Sequence, residues 1–210
     1  LRFRRGAEVV RSGKTWVQTS LDEIDFIHTD LFLHSECIAH TTIKGIREQN
    51  SSYWLCIARG CKYNCAYCCG AKDNMQMLFN RCNALIRSPK KVAEDFRKLA
   101  AAGIKQISPS HDFQMFGKKY YEEVFEEIRK TGVKPGMYLE CFQLPTKEYI
   151  DDMLRTFNSA ELILVLSPIS GNEEQRRKNG KLFSNEAMMD VLRYILSKKI
   201  KVQLYYTLNI

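Results

Sequence analysis

From residue 53 onward, short apolar runs alternate with amphipathic stretches, the pattern of βα units that build a parallel sheet. Residues 53–58 read as the first strand. Ser88 followed by Pro89 is an N-cap with proline at the first helical position, and Val92, Phe96 and Leu99 share one face of a helix that stops at Gly103. Residues 104–108 form the second strand, and Tyr121, Val124, Phe125 and Ile128 mark a helix over 118–130, ended by Gly132. A third strand covers 137–142. Pro145 and Thr146 open a helix that turns Ile150, Met153, Leu154 and Phe157 inward. Residues 162–166 are a continuous apolar run, as in strands buried on both faces. Ser184 caps a last helix that buries Met188, Val191, Leu192, Ile195 and Leu196, before a fifth strand at 201–208.

Residues 1–50 do not repeat this pattern and read as a lead-in segment, with a short helix expected at 21–27. Its histidines, His28, His34 and His40, stand six apart, a spacing that suits neither a helical nor a strand-borne metal site. The chain starts without methionine and stops inside a strand pattern, as a piece of a longer polypeptide would.

The 210 residues are 45% hydrophobic and 27% charged, which excludes a disordered chain and places this one among soluble globular proteins. No apolar run approaches the roughly 20 residues of a membrane span. The net charge of +8 permits an anionic partner such as nucleic acid, but the basic residues lie in short dispersed clusters that read as solvated faces.

Chemistry is concentrated in Arg-Gly-Cys61-Lys-Tyr-Asn-Cys65-Ala-Tyr67-Cys68-Cys69-Gly. Three thiolates in eight residues can hold one side of an iron-sulfur cube while leaving one iron open. A zinc site is the main competitor, but it usually draws two short pairs of ligands, and Cys37, Cys56, Cys82 and Cys141 are scattered singly. A dithiol pair of Cys65 and Cys68 leaves Cys61 unexplained, and eight cysteines are too few for a disulfide scaffold. Cys69 could take the place of Cys68 in an x3, x3 spacing, but adjacent side chains diverge, so the two do not both bind one cube.

This Cys-x3-Cys-x-aromatic-Cys run resembles the signature of the radical S-adenosylmethionine (SAM) superfamily. The resemblance covers about residues 50–210. It implies an α/β fold, a partial parallel (βα) barrel with about five units present, and a core domain at 51–210 incomplete at its C-terminal end. It implies a [4Fe-4S] cluster on Cys61, Cys65 and Cys68, with SAM chelating the open iron through its amino and carboxylate groups. An electron from the reduced cluster then breaks a carbon-sulfur bond and releases a 5'-deoxyadenosyl radical.

The active site of a parallel α/β barrel lies at the carboxyl ends of its strands, and the cysteine loop follows strand one directly. Strand two ends in Ser110-His111-Asp112 where the family binds the SAM amino group through a glycine-rich segment. The glycines are absent here. The run reads either as a turn capped by Asp112 or as a site in which Ser110 and Asp112 bind cofactor and His111 transfers a proton. Glu140 in strand three is costly to bury unless it faces a polar cavity or a cation, so it reads either as a catalytic group or as half of a structural ion pair.

Strand four runs into Ser167-Pro168-Ile169-Ser170-Gly171, then Arg176 and Arg177, then Lys181-Leu182-Phe183-Ser184. This passage resembles the radical SAM enzymes that carry an N-terminal cobalamin-binding domain, although the family often has an acidic residue where Ile169 stands. By that resemblance Tyr67, Ser167, Ser170 and Arg176 contact SAM, with the arginine on its carboxylate. Gln203, Tyr205 and Thr207 alternate along strand five and are placed to line the cavity.

The expected protein is thus a cytoplasmic radical SAM enzyme acting on a small molecule and reduced by a flavodoxin or ferredoxin. Methyl transfer through a cobalamin held outside this chain is its expected extension. Two other classes compete: a zinc-stabilised RNA-binding module, favoured by the positive charge and by Tyr53, Trp54, Tyr63 and Tyr67, and an electron carrier without catalysis, which needs a fourth local ligand.

Overall fold

The computed structural model describes residues 2–11, 18–28, 52–81 and 83–207. Cys37, Cys82, His34, His40 and Leu208 lie outside the described residues. The chain opens with an antiparallel hairpin of β1 (Arg2–Arg5) and β2 (Glu8–Arg11). Then come β3 (Ser52–Leu55), β4 (Ala58–Arg59), α1 (Lys72–Phe79) and β5 (Leu85–Ile86). From there the strands and helices alternate: α2 (Pro89–Ala101), β6 (Gln106–Pro109), α3 (Lys118–Lys130), β7 (Gly136–Cys141), α4 (Lys147–Thr156), β8 (Leu162–Ile169), α5 (Glu173–Lys178), α6 (Asn185–Ser197) and β9 (Lys201–Tyr206).

Strands β3, β6, β7, β8 and β9 form one parallel sheet in that order, so each neighbour in space is the next βα unit in sequence. This is an open five-stranded segment of a barrel. Its helix-facing side carries Leu55, Ile107, Met137, Leu139, Leu164 and Leu166, packed on Phe96, Phe125, Phe157 and Ile195 from the helices. A separate small cluster of Tyr138, Ile163 and Val165 marks the inner face. Alternation along the strands therefore sorts the residues: odd positions of β7 face the helices and even ones face the barrel interior.

Several sequence expectations change. Residues 21–23 bend and turn and 24–27 run on without regular structure, rather than forming a helix. Local side-chain bonds compete there with helical ones: Ser20 Oγ accepts from Asp22 N, and Asp25 Oδ1 from Ile27 N. The segment is a strap over α2. Asp22 Oδ1 accepts from Ser88 N at 2.9 Å, Asp25 pairs with Lys98 at 2.8 Å, and the Arg87 guanidinium bonds the Leu21 carbonyl. The first strand ends at Leu55, because the chain breaks there to start the separate β4–β5 pair. Strand β8 runs on to Ile169, and Leu196 is 59% exposed rather than buried. No helix among the described residues is long and apolar enough to cross a membrane.

Candidate active site

The loop after β4 carries the three cysteines. It turns at Gly60, where φ is +90° and a Cβ would stand 3.3 Å from Ala84 Cα, so a side chain would be both strained and crowded. The loop then folds back on the start of α1. Lys72 N donates to Tyr63 O at 2.9 Å, Ala71 N to Cys68 O at 3.1 Å, and Asn74 Nδ2 to Cys68 O at 2.9 Å. Asn64 clasps Asp73 from the other side at 2.6 Å. Within the loop, Cys68 N donates to Cys65 O and Tyr63 N to Cys61 Sγ. The sequence reading passed over α1, although Met75, Leu78 and Phe79 stand at helical spacing. It has no side-chain cap and buries none of its residues, so the usual signals of a docked helix are weak.

Cys61, Cys65 and Cys68 are half-buried, whereas Cys69 is exposed. Cys61 and Cys68 line a cavity of about 840 Å³, with Met75, Ser110, His111 and Phe142 on its other sides. That volume is in the range of cofactor pockets. Burial pushes the Cys61 thiol up, and the Cys65 and Cys68 thiols add to the rise. A cationic group that accepts all three as thiolates would relieve that repulsion. Among the described residues no three Cys, His, Asp or Glu side chains converge on a point where they could share a single metal ion. A cube takes each thiolate on a separate iron and suits a spread set of donors better than a tetrahedral zinc does.

The end of β6 closes one side of the cavity. Ser110 N donates to Leu55 O at 2.8 Å, and Ser110 Oγ accepts from Ile57 N at 3.1 Å. Ser110 thereby ties β6 to the run that leads into the cysteine loop. The same hydroxyl lies 2.9 Å from His111 Nδ1, and the His111 ring packs between Phe116 and Phe142. Burial lowers the His111 pKa, against a bond with the Gly60 backbone. Asp112 does not line the cavity. It is buried, caps the following turn through Gln114 N, and accepts from Tyr149 OH, both at 3.0 Å. Burial pushes its carboxyl up to about 6.

The ends of β7 and β8 meet through Ser167 Oγ, which donates to Glu140 Oε1 at 2.6 Å. Tyr67 reaches toward this pair from the loop. Its hydroxyl is pushed well up by burial first, then by Cys65, Cys68 and Glu140. Beyond β8 the predicted cofactor contacts divide. Ser170 Oγ accepts from Asn172 N, and Arg176 is fully buried. The Arg176 guanidinium donates to Phe183 O, Ser170 O and Asn185 Oδ1 at 2.7–3.0 Å. Arg176 thus builds the β8–α6 connection with all sides of its fork.

A different cation faces the cysteines. Lys181 is buried, and its Nζ donates to Phe142 O at 2.8 Å. Burial lowers its pKa, and Cys65, Glu140 and Cys61 oppose that shift in this order. The sequence places Lys181 at the head of the run Lys181–Ser184 and assigns it no role. The signal available was the glycine before it, because Gly180 is what lets this turn approach Cys65. Ile169, buried and β-branched, sits at φ +70°, a strained conformation held by Thr207 N on its carbonyl at 2.9 Å.

Residues 55–210 match the family model described as the radical SAM superfamily. No curated protein matches the chain in sequence. The fold is similar to that of a radical S-adenosylmethionine methyltransferase, TsrM, from Kitasatospora setae, solved with cobalamin and a [4Fe-4S] cluster bound. The TM-score is 0.59 at 15% identity, over 74% of this chain and 29% of that one. It is similar also to the cobalamin-dependent S-adenosylmethionine radical enzyme OxsB (TM-score 0.54, 16% identity, 77% and 24% covered) and to methylornithine synthase, PylB (0.52, 14%, 73% and 43%). The chain spans less than half the length of each, and at these identities the likeness is one of fold.

Proposed function

The chain belongs to the radical SAM superfamily, and from that premise we propose that Cys61, Cys65 and Cys68 hold a [4Fe-4S] cluster completed by SAM, and that the protein directs the resulting radical at a small-molecule substrate. The observation that carries this reading is the position of the cysteine loop: it follows β3 by way of the short β4 and turns two of its thiols into the 840 Å³ cavity. When bound and reduced, the cluster supplies the electron that cleaves SAM to methionine and a 5'-deoxyadenosyl radical.

The chain's own residues bind, orient and exclude. Tyr63 N–H supports the Cys61 sulfur, and the buried Lys181 ammonium sets a positive charge beside Cys65 and Glu140. Glu140, held in place by Ser167, offers a carboxylate to the amino group of SAM. His111, its pKa lowered by burial and its ring oriented by Ser110, is placed to give or take a proton at the cavity. Asp112, Ser170 and Arg176 act on the shape of the site from behind. TsrM and OxsB are cobalamin-bound or cobalamin-dependent enzymes, which favours methyl transfer with a cobalamin held outside these residues. A low-potential carrier of the flavodoxin or ferredoxin kind would deliver the electron.

The test is to purify the full-length protein anaerobically, count iron and sulfide, reduce with dithionite and assay SAM for conversion to 5'-deoxyadenosine. Iron with SAM cleavage is expected. A zinc-loaded protein, or an iron-loaded one that never cleaves SAM, would overturn the reading.

A further inference from the structure

The inner face of the sheet carries a group of side chains that the cofactor reading leaves unused. Trp54, Ser108 and Tyr138 stand in one row across β3, β6 and β7. Trp54 is in register with Ser108, and the β6–β7 pairing of Ile107 with Met137 brings Ser108 level with Tyr138. The two aromatic rings lean together over the serine, with centroids 6.4 Å apart and planes tilted by 59°. Ser108 is completely buried beneath them. Among the described residues its hydroxyl is the buried side-chain N or O atom without a hydrogen-bond partner. Such an orphaned group is uncommon in a folded chain and marks a place where a partner belongs.

The two rings differ in freedom. Tyr138 is pinned: its hydroxyl donates to Gln203 Oε1 at 3.2 Å and bonds the Tyr205 hydroxyl. Trp54 is 64% exposed, and nothing in the described structure covers its outer face. Turning the indole outward would forfeit little buried area and would open a slot between two aromatic faces, with Ser108 as its floor and the Gln203 and Tyr205 side chains at its rim. The slot points toward the cysteine loop, because Glu140 lies on the same face two residues further along β7, roughly 6.6 Å on.

We propose that this slot binds the substrate, and that the substrate carries a neutral planar aromatic or heteroaromatic ring sandwiched between Trp54 and Tyr138 with a polar ring atom on Ser108 Oγ. The proposal rests on the radical SAM reading for its reaction, though its binding claim stands apart from it. With the indole turned out, two facing aromatic rings favour another π-system in offset or edge contact over an aliphatic chain. A cation would also be drawn to the rings. Glu140, the carboxylate two residues further along β7, is committed to the amino group of SAM in the proposed function, and Lys201 lies on the same face of β9, so the pocket keeps no carboxylate as counter-charge for a second cation.

Binding of three probes to the full-length anaerobic protein, read by saturation-transfer NMR, tests this. Indole is the aromatic probe, cyclohexylmethanol the aliphatic one and tetramethylammonium the cationic one. Indole should bind the wild type, and its apparent affinity should fall at least about fivefold in Trp54→Leu and in Ser108→Ala. The exposure of Trp54 makes the first variant safe for folding, and the second removes only an unpartnered hydroxyl. Binding of cyclohexylmethanol or tetramethylammonium as strong as that of indole, or indole binding unchanged in both variants, would overturn the proposal. SAM cleavage by the wild type is measured separately. Its failure would remove the radical reading and leave the binding result standing.

Discussion

Gly180 lies against Cys65 so closely that a Cβ at position 180 would stand 3.3 Å from both the Cα and the Sγ of that cysteine. The turn that brings it there is fastened to the end of β7: Gln143 Nε2 donates to Gly180 O, and Lys181 Nζ to Phe142 O, both at 2.8 Å. The β8–α6 connection therefore supports the cysteine loop from behind. Gly180→Ala adds a side chain both where φ is +84° and where Cys65 already is. The backbone strain alone costs about 1–2 kcal/mol. Iron content after anaerobic reconstitution should fall together with SAM cleavage, while far-UV circular dichroism stays unchanged.

Glu140 and Ser167 give a second prediction. Glu140→Gln keeps an acceptor for the serine hydroxyl and removes the charge that the proposed function assigns to the amino group of SAM. Hydrogen bonds to charged groups contribute about 1.5–3 kcal/mol, so SAM binding should weaken by roughly 10- to 100-fold. Equilibrium dialysis with radiolabelled SAM measures this, and the iron content should be that of the wild type.

Arg87 and Asp95 form a bidentate pair, at 2.6 and 3.1 Å, with both side chains nearly inaccessible. Burial raises the Asp95 pKa in spite of the guanidinium. Arg87→Met leaves that carboxylate buried without its partner and frees the strap at Leu21. Urea denaturation should show a loss of roughly 3–5 kcal/mol, largely recovered in Arg87→Met/Asp95→Leu.

Asp112 makes stability depend on pH. Its folded carboxyl, raised to about 6, holds its proton more tightly than the unfolded one, which titrates near about 3.9. The stabilising contribution is full below about pH 4 and is lost as pH rises through about 6. Asp112→Asn keeps an acceptor for Tyr149 and Gln114 and cannot ionise. Relative to the wild type it should gain up to roughly 3 kcal/mol between about pH 4 and pH 7 in denaturant unfolding, where parallel curves would contradict the assignment.

The repeating part of the fold was legible because period and punctuation agree there. Apolar spacing and Gly132 bound α3 at Lys118–Lys130, and Ser88-Pro89 starts α2 where the structure starts it. The strap at residues 21–27 was not legible, since its order comes from Arg87 and Lys98, far away in sequence. The same holds for the cations of the site. In the sequence Arg176 and Lys181 are two charges in one basic stretch. Only the fold shows that Arg176 turns inward to the β8–α6 loop while Lys181 reaches toward the cysteines. Ser108 gave no signal at all, because an orphaned hydroxyl is a property of its surroundings.

The central claim, that Cys61, Cys65 and Cys68 hold a cluster that cleaves SAM, is tested most directly by comparing Cys68→Ala and Cys69→Ala with the wild-type full-length protein. Iron is counted after anaerobic reconstitution, and 5'-deoxyadenosine is measured after reduction with dithionite in the presence of SAM. The wild type and Cys69→Ala should each carry about four irons and form 5'-deoxyadenosine, whereas Cys68→Ala should do neither. Zinc in place of iron, or a Cys68→Ala protein that still cleaves SAM while Cys69→Ala does not, would contradict it.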